Sequence, residues 1–218
     1  MGNRHSNLTL SITMKIDMHV HTINSKDSDS RINFLIRKAK EKGLDGFAIT
    51  DHDKITIKKI VEVGNFYLIP GCEIRTDMGE VIGYFVKDIP QTKKFSSVVE
   101  FLKKQNALVS IPHPFDKLRK ESVKSEREIL NVIDKIDFLE LNARSLPVFI
   151  NKTIKFAKIH KIKLIAGSDS HLVREIGNAY TEFEDLDNFK VKRIFVKKNY
   201  FSLVNLIETK LKKIISRL

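Results

Sequence analysis

The sequence predicts an α/β fold of βα units set around parallel strands. Three observations carry this. Short apolar runs alternate with segments of helical period along most of the chain, 218 residues with 42% hydrophobic content suffice for one substantial core, and metal-binding residue types recur directly after the apolar runs. Such alternation argues for parallel strands, because a parallel return needs a crossover, which a helix supplies. The length falls among single α/β barrels, so one domain over residues 14–218 is expected.

Taken in order, residues 1–13 are polar and unpatterned at their start and read as a disordered extension. Strands are expected over 15–19, 46–50, 67–69, 81–86, 108–111, 138–141 and 164–166, where runs of three to six residues are mostly apolar. Helices are expected over 32–42, 55–63, 96–105, 126–133 and 148–160. Gly43 suits the C-cap of the first helix, and Ser97 with Glu100 fits a capping box in the third. Residues 201–215 read as an amphipathic helix with Leu203, Leu206, Ile207, Leu211, Ile214 and Ile215 inward. The sequence holds no repeat, linker or low-complexity segment.

No apolar stretch is long enough to span a bilayer and no charged leader precedes a signal core, so a soluble cytoplasmic protein with no membrane partner is expected. The single cysteine, Cys72, excludes an internal disulfide and reads as a buried bystander. Lys and Arg outnumber Asp and Glu by 39 to 27, and residues 190–218 hold nine basic residues and one acid, contributing +8 of the net +12. A basic tail can bind nucleic acid, although charge on the outer face of a helix is more often simply solvated. Oligomeric state is not legible.

The chemistry concentrates elsewhere. His19 and His21 are two residues apart at a strand end, so alternation aims both imidazoles at one point. One such pair is weak evidence, since a histidine satisfied by a carbonyl is commoner than a ligand. Of the seven histidines, however, five (His19, His21, His52, His113 and His171) lie at strand ends with acids beside or between them. His5, in the polar leader, and His160, inside a helix, carry no functional reading.

In order and spacing, Asp17-x-His19-x-His21-Thr22, Thr50-Asp51-His52, Gly71-x-Glu73, His113-Pro114 and Ser168-Asp169-x-His171 resemble the PHP family, named for polymerase and histidinol phosphatase. The resemblance runs from about residue 14 to about residue 180, and the segment 175–179 is similar to one that follows the last motif in small phosphoesterase members. It implies a distorted seven-stranded, TIM-like β/α barrel whose two or three divalent ions hydrolyse phosphoesters. It further implies that His19, His21, Glu73 and Asp169 hold one metal, that Glu73 bridges to a second bound by His113, and that Asp27, His52 and His171 hold a third.

Two departures from the family pattern matter. The run Ser25-Lys26-Asp27-Ser28-Asp29 replaces Ser-Asp-Gly, leaving Asp27 or Asp29 as the ligand. No strand-end histidine lies between the fourth and fifth motifs, so either Glu140 or Asn142 substitutes at the second metal or that metal is weakly held. Mixed imidazole and carboxylate ligation suits Zn, Mn or Fe. Asp17 and Asp51 are candidates to fix imidazole tautomers. Arg144 and Arg75 could grip substrate phosphate with their forked donors. Three functions are then open: hydrolysis of a small phosphorylated metabolite or nucleotide, a nuclease acting on DNA or RNA ends, and a non-catalytic RNA-binding barrel. The retained metal residues argue against the last.

Overall fold

Strands buried along their whole length need both faces covered, and β2 (Gly46–Ile49), β5 (Glu80–Tyr84) and β7 (Phe138–Asn142) are buried throughout. The computed structural model describes residues 13–186 and 188–197. Its other strands are β1 (Met14–Val20), β3 (Val61–Glu62), β4 (Tyr67–Arg75), β6 (Leu108–Ile111), β8 (Lys163–Gly167), β9 (Ala179–Asp185) and β10 (Lys190–Val196). The sheet runs β10-β9-β1-β2-β4-β5-β6-β7-β8, with β3 on β4. A parallel bridge between Val20 and Ser170 brings the end of β8 back to β1. The seven expected strands are therefore the staves of a nearly closed barrel, and three further strands are added to them.

The closure is uneven. Below the Val20 bridge, β9 pairs antiparallel with Met14–Ile16 of β1, while Thr181 Oγ1 accepts from the Ala166 amide of β8 at 2.8 Å. One strand thus fills the lower part of the seam. A second irregularity is within β1. Asp17 and Val20 pair with Phe47 and Ile49, so β1 carries one more residue than β2 over that interval, a bulge that re-aims the side chains between.

Two expectations are corrected at element scale. All-parallel order fails at β5, which is antiparallel to both β4 and β6, because the short turn through Gly79 (φ 138°) makes a hairpin rather than a helical crossover. Residues 55–63 form no helix. They are rich in Ile, Val and Thr, whose branched side chains lose rotamer freedom in a helix.

The remaining helices are α1 (Ile32–Glu41), α2 (Phe95–Lys104), α3 (Glu126–Leu130) and α4 (Pro147–His160). Gly43, at φ 71°, lies just past the C-cap Lys42 as expected. The capping box at Ser97 is absent: α2 starts two residues earlier, and Asp77 Oδ1 accepts from the Phe95 amide at 2.9 Å. The amphipathic helix read over 201–215 lies outside the described residues.

Ile16, Ala48, Ile69, Ile82, Phe138 and Ile165 belong to one buried cluster and fill the barrel below its mouth. A second cluster packs α2 and α4 on the outside, through Val98, Leu102 and Phe156, and holds Cys72. Burial pushes the Cys72 thiol up to about 12, as suits a bystander. A third cluster packs Leu35 and Ala39 of α1 against Phe47 and Ile49.

Candidate metal centre

At the barrel mouth, buried imidazoles and carboxylates converge from five strands. His19 comes from β1 and His21 just follows it; His52 follows β2, Glu73 lies in β4, His113 follows β6, and Asp169 and His171 follow β8. The extra residue in β1 turns Asp17 outward and His19 inward, after which ordinary alternation returns His21 to the same side. His19 Nε2 and His21 Nε2 are 3.0 Å apart. From His19 Nε2, Glu73 Oε1 is at 3.4 Å and Asp169 Oδ1 at 3.6 Å. From His21 Nε2, Glu73 Oε2 is at 3.3 Å and Asp169 Oδ1 at 3.4 Å.

These separations have a physical meaning. Bonds of about 2.0–2.2 Å at tetrahedral angles place ligand atoms about 3.3–3.6 Å apart. The four side chains thus have the spacing of donors around one ion, and the donor set fits a divalent metal.

The surrounding shell fixes which nitrogen is free. Glu140 Oε1 lies 2.9 Å from His19 Nδ1, so an Nδ1–H donating there leaves Nε2 as the lone-pair donor. Ser25 Oγ, 3.0 Å from His21 Nδ1, donates onward to Asp51 Oδ1 at 2.9 Å. Asp51 thus orients an imidazole through a hydroxyl rather than directly, and also accepts from the Thr22 amide at 2.7 Å. Ser122 Oγ, 3.0 Å from His113 Nδ1, does the same for that ring.

Two flanking groups complete the constellation. Asp27 faces His52 Nε2 and His171 Nε2, each at 3.5 Å, whereas Asp29 is exposed. His113 Nε2 lies 3.4 Å from Glu73 Oε1 and 3.7 Å from Glu80 Oε2, while His52 Nδ1 is 3.1 Å from Glu73 Oε2 and 3.4 Å from Glu80 Oε1. Among the described residues, His19/His21/Glu73, His21/His52/His171 and His52/Glu73/Glu80 each bring ligand atoms within 4.8 Å of one another.

Several expected roles need correction. Asp17 accepts from main-chain amides rather than orienting an imidazole. Its oxygens accept from the amides of Ser168 and Gly177, both at 2.8 Å, and of His19 at 3.3 Å, which staples β1 to the segment after β8. Burial, outweighing those bonds, raises its carboxyl to about 6. Glu140 and Asn142 do not face the second group with free oxygens: Glu140 Oε2 accepts from the His113 amide and from Asn142 Nδ2, and Asn142 Oδ1 accepts from Arg119 Nη2 and the Arg144 amide.

Arg144 is buried, with Nη1 3.3 Å from the Asp169 carbonyl and Nε 3.6 Å from Glu175 Oε1. Arg75 stands at the rim, its side chain 39% exposed and its Nε 3.5 Å from Glu80 Oε1. Glu80 and Arg119, whose guanidinium donates to Asp169 Oδ2, are part of the constellation without any motif to announce them.

Electrostatics follow from this crowding. Burial would raise Asp169 and Glu73, but Arg119 and His19 hold the first, and His19 and His52 the second, well below the carboxylate range. Asp27 is likewise held low against burial by His52 and His171. Burial would lower His19, yet Glu140, Glu73 and Asp169 raise it well above the imidazole range. His171 is driven well below that range by burial and by neighbouring His21. Burial and Glu73 push Glu80 well above the usual carboxylate value.

The family model for the PHP domain matches residues 17–212. The chain belongs to the PHP domain family. An uncharacterized protein of Methanocaldococcus jannaschii is 34% identical over 180 residues, covering 80% of this chain and 72% of that protein. Among solved structures, PsfC from Pseudomonas syringae superposes with a TM-score of 0.68 at 14% identity, covering 93% of this chain and 99% of that one. A two-domain protein from Bacteroides vulgatus, containing a predicted PHP-like metal-dependent phosphoesterase, gives 0.66 at 19% identity, covering 92% and 70%. This PHP domain therefore shares the fold of PHP-like metal-dependent phosphoesterases, a distorted TIM-like barrel. No helix among its described residues is long and apolar enough to cross a membrane.

Proposed function

We propose that this PHP protein is a metal-dependent phosphoesterase acting on a small phosphorylated metabolite or nucleotide. The observation that carries the proposal is the 3.0–3.6 Å spacing of the His19 and His21 Nε2 atoms from each other and from carboxylate oxygens of Glu73 and Asp169. These four would hold one ion, Glu73 would reach a second beside His113, and Asp27, His52 and His171 would hold a third. Divalent ions at such positions neutralise charge on a transferring phosphoryl group and activate water.

The chain's own residues do the rest. Glu140, Ser25 and Ser122 keep the unprotonated imidazole nitrogens turned inward. Arg119 and Arg144, buried beside Asp169, supply fixed positive charge at the edge where phosphate oxygens would lie, and Arg75 supplies it at the rim. Because Arg119 and Arg144 are held by carboxylates and carbonyls, they need little reorganisation to meet a phosphate.

Depth favours a small substrate. His19 and His21 are fully buried, and Glu73 and Asp169 are 1% and 2% exposed, so a terminal phosphate reaches them more readily than an internal phosphodiester. The nuclease reading rests on the basic excess of residues 190–218, of which those beyond 197 lie outside the described residues. The deciding experiment is hydrolysis of a panel of nucleotides, sugar phosphates, histidinol phosphate and short oligonucleotides with Mn2+ and Zn2+ added. Release of inorganic phosphate from small monoesters supports the proposal; turnover of oligonucleotides alone replaces it with the nuclease.

A further inference from the structure

We infer that Glu80 completes the second metal position, giving an oxygen-rich site of Glu73, Glu80 and His113 suited to Mn2+ and drawn from β5 rather than β7. This deepens the phosphoesterase reading and rests on the same centre.

Glu80 is 3% exposed, and its two oxygens each face an imidazole nitrogen, Oε2 at 3.7 Å from His113 Nε2 and Oε1 at 3.4 Å from His52 Nδ1. Among the described residues, neither Glu80 Oε1 nor Glu73 Oε1 receives a hydrogen bond although both atoms are buried. Two buried carboxylates turned toward the same imidazoles repel one another, and a cation between them relieves that repulsion while meeting the unbonded oxygens. His113 is ready to join: Ser122 occupies its Nδ1 and leaves Nε2 facing both glutamates. The β7 alternatives are engaged, since Glu140 orients His19 and accepts from the His113 amide, and Asn142 receives Arg119.

The donor balance sets the preference. Two carboxylates to one imidazole make a harder site than the two-to-two set of His19, His21, Glu73 and Asp169, and carboxylate-rich sites favour Mn2+ where imidazole-rich ones favour Zn2+.

The test is metal binding to the full-length chain, independent of turnover. Chelator-stripped wild type, Glu80→Gln and Glu140→Gln are titrated with Mn2+, bound ions being counted by elemental analysis and by electron paramagnetic resonance. Glu80→Gln is expected to bind one Mn2+ fewer per chain than wild type, whereas Glu140→Gln keeps the wild-type count with weaker binding. An unchanged count and affinity in Glu80→Gln, or loss of the same ion in Glu140→Gln instead, overturns the inference.

Should Glu80→Gln fail to fold by circular dichroism, Glu80→Asp withdraws the carboxylate by one methylene and is expected to weaken Mn2+ binding about tenfold or more; unchanged affinity there overturns it equally. Wild type that binds its full complement yet hydrolyses no phosphoester defeats the functional reading and leaves this site standing.

Discussion

Single residues around the centre act by fixing protons and directions. Glu140 holds His19 in the tautomer that offers Nε2, so Glu140→Ala is expected to lower metal affinity about 10–100-fold, measurable by competition with a chromogenic chelator. Asp17 acts on the fold instead. Asp17→Ala strands the buried His19 and Ser168 amides, each costing about 1–3 kcal/mol without a partner, and the half-buried Gly177 amide, so a loss of at least about 2 kcal/mol is expected in urea unfolding; a loss under about 1 kcal/mol would contradict the staple. The histidines were legible in the sequence because strand-end position and spacing already aim an imidazole. Asp17 misled because regular alternation places it on the His19 side, and only the extra residue in β1 turns it away. Asp51 was legible as a neighbour of the site, but its route through Ser25 needed the fold.

At the scale of elements, local pattern identified most strands and helices, while their directions and junctions came from tertiary contacts. The run 81–86 reads as one more parallel strand, which would put its end at the mouth. Reversed by the Gly79 hairpin, β5 instead presents its first residue, Glu80, to the site, and a search of strand ends passes it by. The strands β9 and β10 went unread because polar residues, acidic in β9 and basic in β10, alternate with apolar ones in them and mark half-exposed strands rather than core ones. Close approach of elements also sets a limit that can be tested. A Cβ at Gly167 would crowd His19 and come 2.6 Å from Glu140 Oε1. Gly167→Ala is therefore expected to weaken metal binding together with stability, by about 1–3 kcal/mol in the free energy of urea unfolding. Full retention of both would show that β1, β7 and β8 do not meet as tightly as described.

The whole molecule couples metal, proton and fold. His21 must shed its proton to ligate. Burial opposes protonation, yet contacts with Asp169 and Glu73 raise this imidazole to about 9 in the metal-free chain. Metal uptake should therefore release protons below that value, and affinity should rise with pH toward it. The metal-free fold has the opposite trend from this group: a raised imidazole pKa stabilises it below the ordinary value of about 6.5, and that contribution fades as pH rises through about 9. Competitive chelator titrations at about pH 6 and about pH 8 should give weaker and tighter binding respectively, and equal affinities would contradict the coupling. The most direct test of the centre as the seat of chemistry is turnover of a small phosphate monoester by metal-loaded wild type, Glu73→Ala and Asp169→Asn, with folding checked by circular dichroism. Wild type is expected to hold at least two transition-metal ions per chain and to hydrolyse the ester, and each variant to lose far more than about 100-fold in rate while remaining folded; near-normal turnover by either variant, or a wild-type chain that stays metal-free in excess Mn2+ and Zn2+, would contradict it.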